Sequence, residues 1–156
     1  MSTSTSISGG YFPVYPQHGD LPDPEIRSFI TNFYRISDKP DSNELWVSYF
    51  LKDATVTMGN DTGTGEQEIR ELRGRMWNVV AERKHVVNKV FPGSFQDADA
   101  GGARECECML FGDVHLVTKE GQAMTVPWAG YAVLRQVEEG GKPEWKFARY
   151  RVYLQR

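Results

Sequence analysis

Three long stretches in the last third of the chain alternate apolar and polar residues. They cover residues 104–118, 122–137 and 145–154, and short segments rich in glycine and charged residues separate them. Alternation with a period of two is typical of strands that bury one face. The pattern therefore predicts a long antiparallel meander with one face to cover.

The first half of the chain instead repeats apolar residues at helical spacing. Asp23 is a suitable N-cap and Pro24 suits the first helical position, where its missing N–H costs nothing. The apolar face of this first helix comprises Ile26, Phe29, Ile30, Phe33 and Tyr34. The face predicts a helix that packs against the sheet.

Two further helices follow from capping-box signals. Asp41 and Glu44 have the spacing of a capping box before the second helix, and Thr64 and Gln67 have it before the third, which we expect to continue to about Ala81. Short strands are predicted over 54–58 and 85–91, with a loop over 59–65. Early helices and late strands favour an α+β fold, in which three N-terminal helices cover a curved, mainly antiparallel sheet.

Composition narrows the domain organisation and the partners. The chain has 156 residues, 40% of them hydrophobic, which suits one domain over residues 21–156 preceded by a flexible arm over 1–20 that either packs on the domain or swings free. A net charge of −3 without a basic stripe argues against nucleic-acid binding, and no apolar run is long enough for a membrane span. Cys106 and Cys108 lie two apart on one predicted strand, so we expect reduced thiols and a cytoplasmic protein.

The hairpin between the first two long strands predicts which residues share a face. A two-residue turn at Glu120 and Gly121 would place Leu110 opposite Tyr131. Cys108, Leu110 and Tyr131 would then share the inner face. A bulge at Gly112 would turn the side chains beyond it to the opposite face of the sheet, so the face on which Asp113, His115 and Trp128 lie stays open.

The order of elements and a few short segments are similar to a known superfamily. The helix–helix–strand–helix–strand order, Asp41 before the second helix, Arg83-Lys84-His85 after the third and the closing strand 145–154 resemble the NTF2-like superfamily. Within it the chain resembles SnoaL-like and scytalone-dehydratase-like proteins, including those of fungal biosynthetic clusters, over residues 22–155. The resemblance implies a cone-shaped fold that encloses a hydrophobic pocket, commonly in a homodimer.

The same resemblance implies roles for individual residues. His85 matches a catalytic histidine at the start of the strand after the third helix, and Asp41 matches an aspartate that holds a histidine. The family's second histidine is missing, because Cys108 or Met109 stands near its place. This departure argues against scytalone dehydration itself.

The residue types supply a candidate site. His85 is the candidate for moving a proton, since its ordinary pKa lies near neutrality, although a histidine at a helix end is an equal alternative. Tyr131 and Tyr34 are candidate oxyanion donors, with plain core packing as the alternative for each. Together with Asp41 they form the predicted catalytic set, and the predicted substrate-binding residues are Arg35, Tyr49, Trp77, Cys108, Leu110 and Trp128. Metal ligation is not expected, because no set of three or four ligands has motif spacing.

These observations favour a small cofactor-independent isomerase, cyclase or dehydratase. It would use acid–base chemistry on a polyketide-like or terpenoid-like metabolite in a hydrophobic pocket. The alternative is a non-catalytic binding or dimerisation module of the same fold.

Overall fold

The computed structural model describes residues 9–17, 21, 23–93, 95 and 104–155. Its three α-helices are α1 (Glu25–Ser37), α2 (Asn43–Val47) and α3 (Glu66–Met76). Its six strands are β1 (Phe50–Met58), β2 (Asp61–Thr64), β3 (Val80–Gly93), β4 (Glu105–Thr118), β5 (Ala123–Glu139) and β6 (Lys142–Leu154). They form one sheet in the order β2-β1-β6-β5-β4-β3, with only β1 and β6 parallel among these pairs. The predicted α+β class is confirmed.

The described part of the N-terminal arm packs on the sheet. A 3₁₀ turn at Gly9–Tyr11 leads to Val14, which pairs with the edge of β3. The Val14 N–H donates to the carbonyl of Asn88 at 2.9 Å, and the Val90 N–H donates to the carbonyl of Val14 at 3.1 Å. Residues 9–17 are therefore an extended arm, whereas the prediction for residues 1–8 and 18–20 lies outside the described residues.

Helix α1 begins close to the predicted cap. Oδ1 of Asp23 accepts a hydrogen bond from the Glu25 N–H at 3.0 Å, and Oδ2 accepts one from Nε1 of Trp145 at 2.8 Å. One carboxylate thus fixes the helix start against β6. The predicted apolar face is largely buried, with Phe33 fully inaccessible to solvent.

Two element predictions are wrong. Helix α3 ends at Met76 rather than near Ala81, because Val79 and Val80 belong to a β-branched segment and Val80 opens β3. The segment predicted as a loop contains β2, which pairs with β1. Cross-strand threonine pairs support this hairpin, with Oγ1 atoms 3.3 Å apart in Thr55–Thr64 and 3.2 Å apart in Thr57–Thr62.

The register of the β4–β5 hairpin differs by one residue from the prediction. The loop has three residues, 119–121, and the Thr118 N–H donates to the carbonyl of Gln122 at 2.8 Å. Gly121 takes a φ of 91°, which this longer loop requires. Tyr131 consequently pairs with Met109, not with Leu110, and lies on the outer face.

Strand β3 carries two bulges that set the facing of its side chains. The register with β4 shifts between Val80 and Glu82 and again between Val87 and Lys89. The β4–β5 ladder has no shift, so no bulge occurs at Gly112 itself. Glycine is needed there for another reason: a Cβ at this position would lie 1.9 Å from the carbonyl oxygen of Val86.

The inner face of the sheet, α1, α2 and α3 bury one continuous hydrophobic core. The buried residues include Phe33, Trp46, Leu72, Leu134 and Phe147. Among the described residues, no helix has both the length and the apolar character needed to cross a membrane.

Candidate functional site

A cavity of about 300 Å³ opens between the inner face of the sheet and α3. Its wall is mainly apolar, with Val114 and Leu116 from β4 and Val152 from β6. The polar side chains that line it include those of Arg83, His85, Trp128, Tyr150 and the exposed pair Asp61–Arg75. In a mainly apolar cavity, the few polar groups interact strongly with a ligand.

His85 and Asp38 form a hydrogen-bonded pair beside this cavity. Nδ1 of His85 lies 2.6 Å from Oδ1 of Asp38, and the backbone N–H of His85 donates to Oδ2 at 2.9 Å. The side chains are only 14% and 6% exposed, respectively. Two bonds from one carboxylate fix both the ring and the backbone at the inward-facing position that the first β3 bulge creates.

The partner of Nδ1 determines what the other ring nitrogen can do. A carboxylate only accepts hydrogen bonds, so this network assigns the ring hydrogen to Nδ1 and a lone pair to Nε2 of neutral His85. Burial lowers the pKa of His85 below its ordinary value, and the hydrogen bond to Asp38 opposes that shift. The ring is consequently a neutral base near pH 7.

Asp38 is held from a third side by the N-terminal arm. The hydroxyl of Tyr11 donates a short hydrogen bond to Oδ2 of Asp38. Burial and this bond to the carboxylate raise the pKa of Tyr11, so the hydroxyl remains a donor. Three donors from two segments, the arm and β3, therefore hold the carboxylate that orients the His85 ring.

Two tyrosines add a second polar group next to the base. The hydroxyl oxygens of Tyr34 and Tyr150 lie 2.8 Å apart, and Tyr150 lines the cavity. Burial raises the pKa of both hydroxyls. One hydroxyl donates to the other, so when Tyr34 donates, Tyr150 keeps its own hydrogen for a ligand.

Two arginines place positive charge behind the cavity. Arg73 is fully buried and donates to the carbonyls of Ser37 at 2.9 Å and Lys39 at 2.6 Å, near the end of α1. Burial lowers its pKa to about 10, and the nearby charge of Arg83 acts in the same direction. Arg83 lines the cavity and packs over Trp77, with its guanidinium carbon 4.6 Å from the ring centroid.

The structure corrects two of the four predicted catalytic positions. Asp41, which the resemblance matched to an aspartate that holds a histidine, is exposed just before α2, and the aspartate that holds a histidine is Asp38, bonded to His85. Asp38 lies immediately after α1, and its carboxylate reaches β3 at His85. Tyr131 lies on the outer face and donates to Oε1 of Glu107 at 2.7 Å, so it is away from the cavity.

The predicted substrate-binding residues are spread over the molecule. Trp128 lines the cavity, but Cys108 and Leu110 are buried farther along the inner face. Tyr49 packs on Phe29, with ring centroids 5.1 Å apart, beside a separate hollow.

The remaining two predicted positions are also outside the cavity wall. Arg35 lies against Tyr11 and Phe12 of the arm. Trp77 lies against the guanidinium groups of Arg73 and Arg83. Both side chains thus support the elements around the site.

Sequence reasoning missed four residues that the fold brings to this site: Tyr11, Asp38, Arg83 and Tyr150. Asp38 lies just beyond the apolar face of the first predicted helix, and Tyr150 is one of several aromatic residues in the predicted closing strand, so no local pattern singles out either residue. Arg83 precedes His85 by two residues, so strand alternation could have paired them on one face.

No protein-family model matches the chain, and no curated protein matches its sequence. Solved structures do match. A provisionally named aromatic ring hydroxylase of Novosphingobium aromaticivorans superposes with a TM-score of 0.69 at 19% identity, covering 83% of this chain and 89% of that one. A hexachlorocyclohexane dehydrochlorinase gives a TM-score of 0.67 at 16% identity, covering 85% and 86%. A provisionally named scytalone dehydratase of N. aromaticivorans gives 0.64 at 14% identity, covering 84% and 82%.

Other similar structures carry the names NTF2-like dehydratase and SnoaL-like polyketide cyclase. These names refer to different reactions, but the structures share one fold, so the similarity shows the fold and not the reaction. The chain has the cone-shaped NTF2-like fold, as the resemblance in its sequence implied.

Proposed function

We propose that the protein is a cofactor-independent enzyme that uses His85 as a base to remove a proton from carbon in a hydrophobic substrate. The observation that carries the proposal is the Asp38–His85 pair, which leaves the Nε2 lone pair available on a residue that lines an apolar cavity. Structures of the same fold are named dehydrochlorinase, dehydratase and cyclase, and such chemistry fits a single base in a dry pocket.

The step needs few groups. Nε2 of His85 takes the proton, and the electron pair of the broken C–H bond forms a new double bond. Either a leaving group departs with its own bond pair, or an adjacent carbonyl oxygen accepts the charge as an enolate. Tyr150 would donate to that oxygen, and its hydrogen bond with Tyr34 supports this role. Elimination, isomerisation and cyclisation of a polyketide-like or terpenoid-like metabolite all begin in this way.

A generic substrate tests the base without knowledge of the natural one. A nitrobenzisoxazole opens when a base removes its ring proton, the N–O bond breaks and a coloured nitrophenolate forms. We expect the wild type to exceed free imidazole at equal concentration, and His85→Gln to lose about 100-fold. The control is His115→Gln, because His115 is exposed on the outer face and bonds Thr125.

Two results would count against the enzyme. Unchanged turnover in His85→Gln would remove the assigned base. No acceleration by the wild type would favour the alternative, a non-catalytic binding module.

A further inference from the structure

Two hydrogen-bond donors on the cavity wall have no acceptor among the residues that the structure describes. Nη1 of Arg83 and Nε1 of Trp128 are buried and have no hydrogen-bond partner among the described residues. Both side chains line the cavity that His85 lines. A buried donor without a partner costs about 1–3 kcal/mol, and more when it is charged. A ligand that supplies acceptor oxygens would remove this cost.

A second nitrogen of Arg83 is already bonded within the protein. Nη2 donates to the carbonyl of Met76 at 3.0 Å, and the guanidinium plane packs on Trp77. These contacts hold the side chain in place without neutralising its charge. Arg83 is therefore a pre-positioned cation rather than a flexible surface arginine.

The charge balance behind the cavity is positive. Burial lowers the pKa of both Arg73 and Arg83, and repulsion from Arg83 further lowers that of Arg73. Asp38 is the carboxylate that acts favourably on both arginines, and its oxygens already accept from His85 and Tyr11. Two guanidinium groups thus share one carboxylate, that of Asp38, which already accepts hydrogen bonds from other residues. A buried positive excess of this kind is stabilised by an added negative charge.

The second acidic side chain on the cavity wall does not change this balance. Asp61 forms a two-point ion pair with Arg75, at 2.8 and 2.9 Å. Its charge is compensated locally, at an exposed position. The inner end of the cavity keeps its positive excess.

We propose that the cavity selects a small hydrophobic carboxylic acid, whose carboxylate accepts hydrogen bonds from Arg83 and Trp128. Arginine is suited to a planar carboxylate, and the apolar strands suit the hydrocarbon body. A cavity of about 300 Å³ fits a ligand of one or two rings. The proposal deepens the proposed function, because it names the substrate class for the site that contains His85.

Calorimetric titration with three matched probes tests the selection: cinnamate, cinnamamide and cinnamyl alcohol. They share a body and differ in charge at one end. We expect the wild type to bind cinnamate at least tenfold more tightly than either neutral probe. Arg83→Gln should lose that preference while keeping its affinity for cinnamamide, and Arg83→Lys should keep part of it. Arg70→Gln is the control, since Arg70 pairs with Glu44 outside the cavity.

Each other outcome overturns the selection. Equal binding of the three probes, no binding of cinnamate, or an unchanged preference in Arg83→Gln would each do so. Equal loss of all three probes in that variant would show a packing role instead.

The His85→Gln variant separates this inference from the proposed function. It should keep the preference for cinnamate over cinnamamide and fail to open the nitrobenzisoxazole. If the wild type opens that neutral substrate but shows no preference for cinnamate, the base stands and the carboxylate selection falls.

Discussion

Asp38 ends the first helix and contacts His85, which lies 47 residues later on β3, through both the imidazole ring and the backbone N–H. The pair connects the end of α1 to β3 and also orients the imidazole ring. Because the contact has two points, the ring cannot rotate without breaking a bond to a nearly buried carboxylate.

Replacing Asp38 should lower turnover more than it lowers binding. In Asp38→Asn the amide can present its N–H₂ to the ring, which favours the wrong tautomer of His85. We expect kcat for the nitrobenzisoxazole to fall about 100- to 10,000-fold with a small change in KM. Asp41→Asn is the control, because Asp41 is exposed; an equal loss in both variants would contradict the pairing.

The pH profile should report the buried histidine. Burial sets the pKa of His85 below its ordinary value of 6.5, and only neutral His85 can take a proton. Turnover should therefore fall as the pH drops through this lowered pKa and should level off above it. A midpoint above 6.5 would contradict the burial effect.

The same pKa shift makes stability depend on pH. The unfolded state binds a proton at higher pH than the folded state, so the stabilising contribution is full above 6.5 and is lost as the pH falls through the folded pKa. Denaturant unfolding of the wild type and His85→Gln across this range measures the difference. The two curves should converge on the acid side.

The N-terminal arm should affect activity through one hydroxyl. Tyr11→Phe removes a donor to Asp38, and a hydrogen bond to a charged group is worth about 1.5–3 kcal/mol, so we expect kcat to fall about tenfold. Tyr15→Phe on the same arm is the matched control, because its buried hydroxyl has no partner among the described residues. Equal effects of the two changes would mean that the arm acts only by packing.

Arg73 should be a major determinant of stability. Arg73→Met would leave the carbonyls of Ser37 and Lys39 without their donor, and we expect a loss of about 3 kcal/mol in the free energy of unfolding. Arg70→Met, on the exposed side of the same helix, should leave the unfolding midpoint nearly unchanged. Denaturant titration with circular dichroism measures both.

Two glycine substitutions should have opposite effects. Gly112→Ala would force a methyl group against the carbonyl of Val86 and should cost about 3 kcal/mol. Gly74→Ala meets no atom within 4 Å and lies in α3, so it should stabilise by up to about 1 kcal/mol. Thermal unfolding of the pair checks the close approach of β3 and β4; similar midpoints would contradict it.

The sequence predicted the fold better than the site because periodicity survives small errors in register. Alternation located three long strands, and helical spacing located α1, without any knowledge of loop geometry. Facing depends on single residues: one extra residue in the hairpin loop moved Tyr131 outward. Asp38 was missed because its partner is 47 residues away, and no local pattern joins a helix end to a distant strand.

Because β3 has two bulges, the number of residues in this strand determines which side chains reach the cavity. One extra residue at each end of the segment 82–87, Ala81 and Asn88, determines which of its side chains face the cavity. Deletion of Ala81 would turn either Val80 or Arg83 to the outer face of the sheet. Deletion of Asn88 would do the same to either His85 or Val90. Homologues that lack one of these residues would keep nearly the same composition and core but present a different row of side chains to the cavity. An insertion or deletion here would therefore remove the proposed base from the cavity without any substitution at His85.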